Sequence, residues 1–240
     1  MSAENLAKGR IAIITARGGS KRIPKKNIKD FCGKPIIAYS IEAALKSGAF
    51  TEVMVSTDSE EIAEISRKYG ANVPFMRSKQ NSNDYATTAD VILEVLQQYK
   101  KQGKEFEYTC CIYPTAPFVT ESKLKEAMRI MEKNNPIEVM PVVAFSFPPQ
   151  RCFVIGEDGY MQYKYKEFML SRSQDLEKQY HDAGQFYIYK TDAYLKQKGI
   201  ISDNIMPIIV SEMEVQDIDQ EDDWKIAEIK YKRMKENKNI

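Results

Sequence analysis

Ile11-Ala12-Ile13-Ile14 is a short apolar run that gives way almost at once to Arg17-Gly18-Gly19-Ser20-Lys21-Arg22. That junction limits the possible folds more than any other stretch. Consecutive apolar residues over so short a run suit a strand covered on both faces. The paired glycines let the chain turn sharply and let a ligand come close to the main chain. Exposed N–H groups flanked by Arg and Lys form a cradle for phosphate oxygens. Arg17, Lys21, Arg22, Lys25 and Lys26 are interrupted by no acidic residue, although the whole chain carries a formal net charge of only +1. The bound group is therefore a local polyanion, and a nucleoside triphosphate fits best. Neither the P-loop spacing G-x-x-x-x-G-K-[ST] nor the dinucleotide pattern G-x-G-x-x-G occurs here. Near-neutral charge gives no general pull toward nucleic acid or membrane.

The chain then alternates. Residues 35–48 read as a helix, with Pro35 in its first turn, Gly48 just past its end, and Ile37, Ile41, Ala44 and Leu45 facing a sheet. Residues 52–56 read as a strand. Asp58 with Glu61 offers a capping box for a helix ending near Gly70, and residues 73–76 read as another strand. Residues 77–88 are a polar loop before a helix over 89–101. Residues 108–113 form the next buried strand. A helix over 120–134 follows, capped by Thr120, with Leu124, Ala127, Met128 and Met131 on one face. Residues 139–143 form a strand bent by Pro141. This rhythm predicts an α/β fold of Rossmann-like type, a mostly parallel sheet flanked by helices. Ligands in such sheets sit outside the carboxyl ends of the strands, where residues 17–22 and Asp58 both fall. From residue 144 the alternation stops. Residues 144–182 are dense in aromatics and suggest a small antiparallel excursion turning at Asp158-Gly159, with a surface that asks for a partner.

Near the end, Asp217-Ile218-Asp219 lies in an extended stretch, where residues two apart share a face. The two carboxylates project together while Ile218 turns inward. Hard oxygen ligands without Cys or His suit Mg2+ brought in by a triphosphate. Asp222 and Asp223 fit the start of a helix over 224–236, and the polar tail over 235–240 is expected to fray. Cys32, Cys110, Cys111 and Cys152 contain no C-x-x-C. They read as reduced packing residues, with Cys110 and Cys111 on opposite faces of a strand, as in a cytoplasmic protein. Residues 1–9 lack the apolar segment of a secretory signal, and no run is long enough to span a bilayer. The only histidine, His181, leaves no His-based triad and reads as a bystander.

The stretch A-R-G-G-S-K-R-I-P-K-K-N at 16–27 resembles the first motif of the sugar-acid cytidylyltransferases, the CMP-sialic acid synthetase family. P-T-A-P at 114–117 resembles that family's P-T-S-P. Residues 171–176 and 180–189 resemble its second block, and D-x-D followed by D-W at 217–224 resembles its closing motif. The resemblance covers residues 11–224 in order. It implies one nucleotidyltransferase domain over 1–240, a homodimer formed through 144–182, and a reaction joining a nine-carbon sugar acid to CMP from CTP. It implies Arg17, Lys26 and Asp219 as catalytic residues and Asp217 with Asp219 as the Mg2+ ligands. Ala16, Gly18, Gly19, Ser20, Lys21, Asn27 and Thr115 would contact substrate. Arg77 and Ser82 would recognise cytosine, and Arg172 would face the carboxylate of the sugar acid. Tyr113 stands where sialate enzymes carry Gln, and Asp182-Ala183-Gly184-Gln185-Phe186 stands in place of Asn-Gly-Ala. D-A-G-Q-F-Y is similar to the version in pseudaminic acid enzymes, which implies that sugar ahead of sialic or legionaminic acid, with Gln185 and Phe186 near it. A D-x-D glycosyltransferase would not need the cations at 17–26, and a catalytically dead nucleotide-binding scaffold would release no pyrophosphate.

Overall fold

The computed structural model describes residues 9–238; residues 1–8 and 239–240, with the last part of the polar tail, lie outside it. The chain runs through β1 (Gly9–Thr15), a 3-10 turn (Lys26–Ile28), β2 (Asp30–Phe31), β3 (Lys34–Pro35), α1 (Ile36–Ser47), β4 (Glu52–Ser56), α2 (Glu60–Lys68) and α3 (Thr88–Lys101). It continues with β5 (Phe106–Ile112), α4 (Glu121–Asn134), β6 (Glu138–Ala144), the hairpin β7 (Phe153–Ile155) and β8 (Met161–Tyr163), then β9 (Tyr180–Asp182) and β10 (Phe186–Lys190). α5 (Thr191–Lys196), β11 (Ile205–Ile209) and α6 (Glu221–Lys238) complete it.

The main sheet has the order β11-β6-β10-β5-β1-β4, with β9 added on β6. β1 pairs in parallel with both β4 and β5, and β11 with β6. β10 is antiparallel to β5 and β6, and β9 is antiparallel to β6. β1, β4, β5, β6 and β11 thus share one direction, which makes the sheet mixed but mostly parallel, as the alternation predicts. The reversal of β10 has a positional effect. Phe186 pairs with Ile112 and Lys190 with Tyr108, so β10 begins at the carboxyl end of β5. The turn at 182–185 is thereby delivered to the edge where α/β sheets bind ligands.

Ile11, Ala12, Ile13 and Ile14 are all 0% exposed. Strand residues alternate between faces, so Ala12, Ile14, Cys110 and Ile112 pack with Ile37, Ile41, Leu124 and Met131 on one side. Ile11, Ile13 and Cys111 pack with Ile92, Val95, Tyr99 and Tyr187 on the other. The adjacent cysteines do face opposite ways, and burial pushes both thiols up, Cys111 to about 12. A third cluster joins Ile23, Phe31, Tyr39, Phe118, Ile218, Trp224 and Tyr231. It fastens α6 and the extended stretch before it to the first loop. The excursion carries its own two-stranded antiparallel sheet, β7 with β8, turning through Gly159 at φ 79.

Several expectations need correction. Pro35 lies just before the helix rather than in its first turn, although Gly48 ends α1 at φ 60 as expected. Leu45 is 42% exposed, because it sits at the edge of the apolar stripe. Residues 73–76 form no strand. Only Asn72 bridges to Met54, and Pro74 has no N–H with which to extend the ladder. α6 starts at Glu221 rather than at Trp224, and it continues past 236 to Lys238. Among the described residues no helix is long and apolar enough to cross a membrane.

Phe31 is fully buried and meets Tyr39, Trp224 and Tyr231 edge to face at ring-centroid separations of 5.6, 5.5 and 5.5 Å. Phe31→Ala should lower unfolding free energy by about 3–5 kcal/mol in urea titrations, from lost transfer energy plus a cavity. A loss below about 1 kcal/mol would mean the cluster relaxes around the gap.

Candidate active site

The loop after β1 is held in shape by its own neighbours. Ala16 N–H donates to the Ser56 carbonyl at 3.0 Å, Gly18 N–H to Asp58 Oδ1 at 2.8 Å, and Asn27 Nδ2 to the Arg17 carbonyl at 2.8 Å. Asp58 is therefore not the helix cap expected of it. Ser59 caps α2 by accepting from Ile62 N–H, and the Asp58 carboxylate is released to anchor the glycine turn. A β-carbon on Gly18 would come within 3.1 Å of Ser59 Cβ, which accounts for a residue without one at that close approach. Asn27 is 6% exposed and acts as an internal strut of the loop.

Around this turn Thr15, Arg17, Ser20, Lys21, Arg22, Lys26, Asn27, Pro114 and Thr115 line a cavity of about 360 Å³. The far end of the chain closes one side. Lys26 Nζ donates to the Ile218 carbonyl at 2.6 Å and lies 3.7 Å from Asp219 Oδ1, and Arg22 Nη2 donates to Asp219 Oδ1 at 2.7 Å. Ile218 is 2% exposed, so it turns inward between Asp217 and Asp219 as the extended pattern predicts. Asp223 caps this arrangement by accepting from the Asp219 and Gln220 N–H groups.

A second cavity, of about 600 Å³, adjoins the first through Thr115, which lines both. Tyr113, Asp182, Tyr187, Asp217 and Lys230 are among its walls, and so is His181, which is less of a bystander than expected. Asp182 organises one side: its Oδ1 accepts from Gly184 N–H and its Oδ2 from the Tyr187 hydroxyl, each at 2.7 Å. Gly184 adopts φ 62, a turn conformation suited to glycine. Tyr187 meets Tyr113 edge to face at 5.6 Å, and burial pushes the Tyr113 hydroxyl pKa up.

The remaining expected site residues lie elsewhere. Arg77 is 8% exposed; its guanidinium is 3.0 Å from Ser56 Oγ and also reaches the Ser56 carbonyl. Burial pulls its pKa down and Asp58 opposes that. Ser82 donates to the Ser78 carbonyl at 2.7 Å. Phe186 is fully buried in the core under β5, and Gln185, 2% exposed, ties its amide to the Glu214 carbonyl with Oε1 unpartnered among the described residues. Both are turned away from the two cavities, because β10 directs Phe186 into the sheet's packed face. Arg172 is mostly exposed, pairs with Asp175 at 2.7 Å and lines neither cavity.

Sequence reasoning passed over Asp84. Its carboxylate accepts from Arg17 Nη1 at 2.9 Å and also pairs with Lys21, and Lys21 first and then Arg17 hold its pKa below the usual carboxylate range. Nothing periodic marks an acid in a polar loop. The unaccompanied cations at 17–26 were the only clue that a counter-charge would be found. The turn-forming role of Asp182 was more visible, as an Asp two residues before a Gly.

A sequence profile described as cytidylyltransferase matches residues 11–238. The chain is 42% identical, over 92% of its length and 96% of the relative's, to a pseudaminic acid cytidylyltransferase of Campylobacter jejuni subsp. jejuni. It is 32% identical to the CMP-N,N'-diacetyllegionaminic acid synthase of Legionella pneumophila, over 91% of this chain and 94% of that one. In fold it is similar to a CMP:2-keto-3-deoxy-manno-octonic acid synthetase solved with CTP, with a TM-score of 0.68 and 17% identity over 96% of this chain and 100% of that one.

Exposed ion pairs contribute ~0–1 kcal/mol each, so Asp84→Asn should leave the melting temperature within about 2 °C. Amide exchange over residues 83–86 should nonetheless quicken, because their tether to Arg17 and Lys21 is gone. Unchanged exchange would show that the other hydrogen bonds of the loop suffice to hold it.

Proposed function

The chain belongs to the cytidylyltransferase family, and we propose that it activates pseudaminic acid, a nine-carbon sugar acid, with CTP to give the CMP-sugar and pyrophosphate. One observation carries this reading: a cationic cavity at the amino-terminal loop and a larger polar cavity meet at Thr115, beside the Asp217–Asp219 segment. The first has the charge for a triphosphate and the second has the size and polarity for a sugar acid. Similarity to the Campylobacter enzyme supports pseudaminic acid as the sugar.

In this reading Arg17, Ser20, Lys21 and Lys26 take the triphosphate, with Asn27 keeping the loop in register. Ala16, Gly18 and Gly19 bring main chain close to it, and Arg77 and Ser82 lie on the cytosine side. The 2-hydroxyl oxygen of the sugar bonds to the α-phosphorus, the bond from that phosphorus to the bridging oxygen breaks, and pyrophosphate departs. Such transfers demand positioning and charge neutralisation more than covalent help. Arg22, paired with Asp219 in the structure, is freed as that carboxylate is recruited.

The donor set fits Mg2+. Asp217 is exposed at the wall of the larger cavity and Asp219 sits beside Lys26. Among the described residues no cluster of His, Cys, Asp and Glu supplies a complete ligand set. The protein's share is thus two carboxylates, and triphosphate oxygens would complete the hard coordination shell. When bound, magnesium would offset charge growing on the phosphate oxygens and lower the pKa of the attacking hydroxyl. The free cysteines support a reducing, cytoplasmic setting.

Residues 144–182 we assign to a homodimer contact within a single nucleotidyltransferase domain. Phe153, Val154, Ile155, Tyr160, Met161 and Leu170 are all exposed there, Ile155 at 75% and Leu170 at 89%. So much apolar surface within one excursion is characteristic of an interface. The double substitution Ile155→Glu and Leu170→Glu should convert a dimer to a monomer in light scattering. A wild-type protein that is monomeric at micromolar concentration would refute the assignment.

The chemistry is tested by mixing the protein with CTP, Mg2+ and pseudaminic acid and measuring pyrophosphate. Asp219→Asn should cut kcat by at least about 100-fold, on the order of 2.7 kcal/mol, with the fold intact by circular dichroism. Pyrophosphate released faster with sialic or legionaminic acid would move the sugar assignment, and near-normal turnover by the variant would remove Asp219 from the reaction.

A further inference from the structure

An acidic sugar needs a cation in its own cavity, and the larger cavity offers one Lys or Arg among its walls. That residue is Lys230, against the carboxylates of Asp182, Glu212 and Asp217. Within one protomer the arginine expected to meet the sugar acid, Arg172, points away from this cavity and pairs with Asp175. Lys230 projects from α6, and its ammonium donates to the Val215 carbonyl at 2.7 Å and the Glu212 carbonyl at 3.2 Å. An ammonium has three donors, so these two bonds aim it without exhausting it. Both acceptors are neutral, and Lys230 forms no ion pair with a carboxylate among the described residues. Its charge therefore has no carboxylate partner at contact distance at the cavity wall.

Two of the cavity's three carboxylates are already committed. Asp182 accepts from Gly184 and Tyr187, and Asp217 belongs to the proposed metal pair. With those carboxylates in place, an anionic ligand would be repelled from the cavity unless a cation faced it. We infer that the ammonium of Lys230 receives the carboxylate of the sugar acid. This inference rests on the sugar-acid reading above. It places the carboxylate on the side of the cavity walled by residues 212–218. The sugar would then lie with its acid end near the metal pair and the rest of the molecule against the tyrosines.

The test uses Lys230→Gln, whose amide still donates to the Val215 carbonyl but carries no charge, and Lys230→Arg, which keeps the charge. Pyrophosphate release is followed with pseudaminic acid and with its uncharged C1 carboxamide. Lys230→Gln should raise KM for the acid at least about ten-fold while KM for CTP changes less than about two-fold. Lys230→Arg should restore most of that loss, and the carboxamide should be used equally well by wild type and Lys230→Gln. If Lys230→Gln impairs acid and carboxamide alike, Lys230 serves only to hold the 212–215 loop and the inference is overturned. It is equally overturned if Arg172→Gln raises KM for the acid while Lys230→Gln does not. A wild-type enzyme that releases pyrophosphate with no sugar acid would remove the underlying reading, an outcome distinct from either of these.

Discussion

One ammonium sits where the two ends of the described chain meet. Lys26 Nζ reaches the carbonyl of Ile218, 192 positions later, and sits beside Asp219. Lys26 is held by the loop after β1, and Ile218 is packed in one cluster with Phe31 and Trp224. Each partner is thus positioned by packing as well as by the polar contact. The apolar cluster sets the distance, and the charges exploit it. An isolated exposed ion pair would contribute little to stability, about 0–1 kcal/mol, so the convergence of these motifs depends on packing rather than on attraction between opposite charges.

Much of this was legible in the chain. Apolar runs marked β1, β4 and β5 because full burial on both faces leaves no alternation to misread. Thr120 and Gly48 marked helix ends through the local hydrogen bonding and left-handed geometry that such residues favour. Ile218 could be placed inward from strand period alone. What escaped was decided by tertiary competition. Asp58 had the credentials of a cap, yet Ser59 was one residue nearer and the glycine turn needed an acceptor. Residues 73–76 had strand composition, but Pro74 halted the ladder. The pairing of Asp84 with Arg17 and Lys21 connects segments more than sixty residues apart, and no local pattern encodes it.

The D-A-G-Q-F-Y segment illustrates how a motif can be recognised while its working parts are misassigned. Gln185 and Phe186 are its distinctive letters, and both are turned inward. Asp182 and Tyr187, at its ends, face the cavity and are hydrogen-bonded to each other. The interior letters carry the packing that holds the turn on the sheet edge, and the outer letters present chemistry. Alternation along β10 sends Phe186 and Tyr187 to opposite faces, while Gln185, just before the strand, is held by the Glu214 carbonyl.

The reversed strand β10 separates two inheritances within one molecule. The cationic cavity is built mainly from the amino-terminal loop and is closed on one side by the last extended segment, while much of the larger cavity's wall arrives through the chain that leaves β6 and re-enters at Phe186. A change in the length or composition of that detour can remodel which acid is accepted without disturbing the nucleotide end. A scaffold divided in this way can diversify its acceptors while keeping one donor.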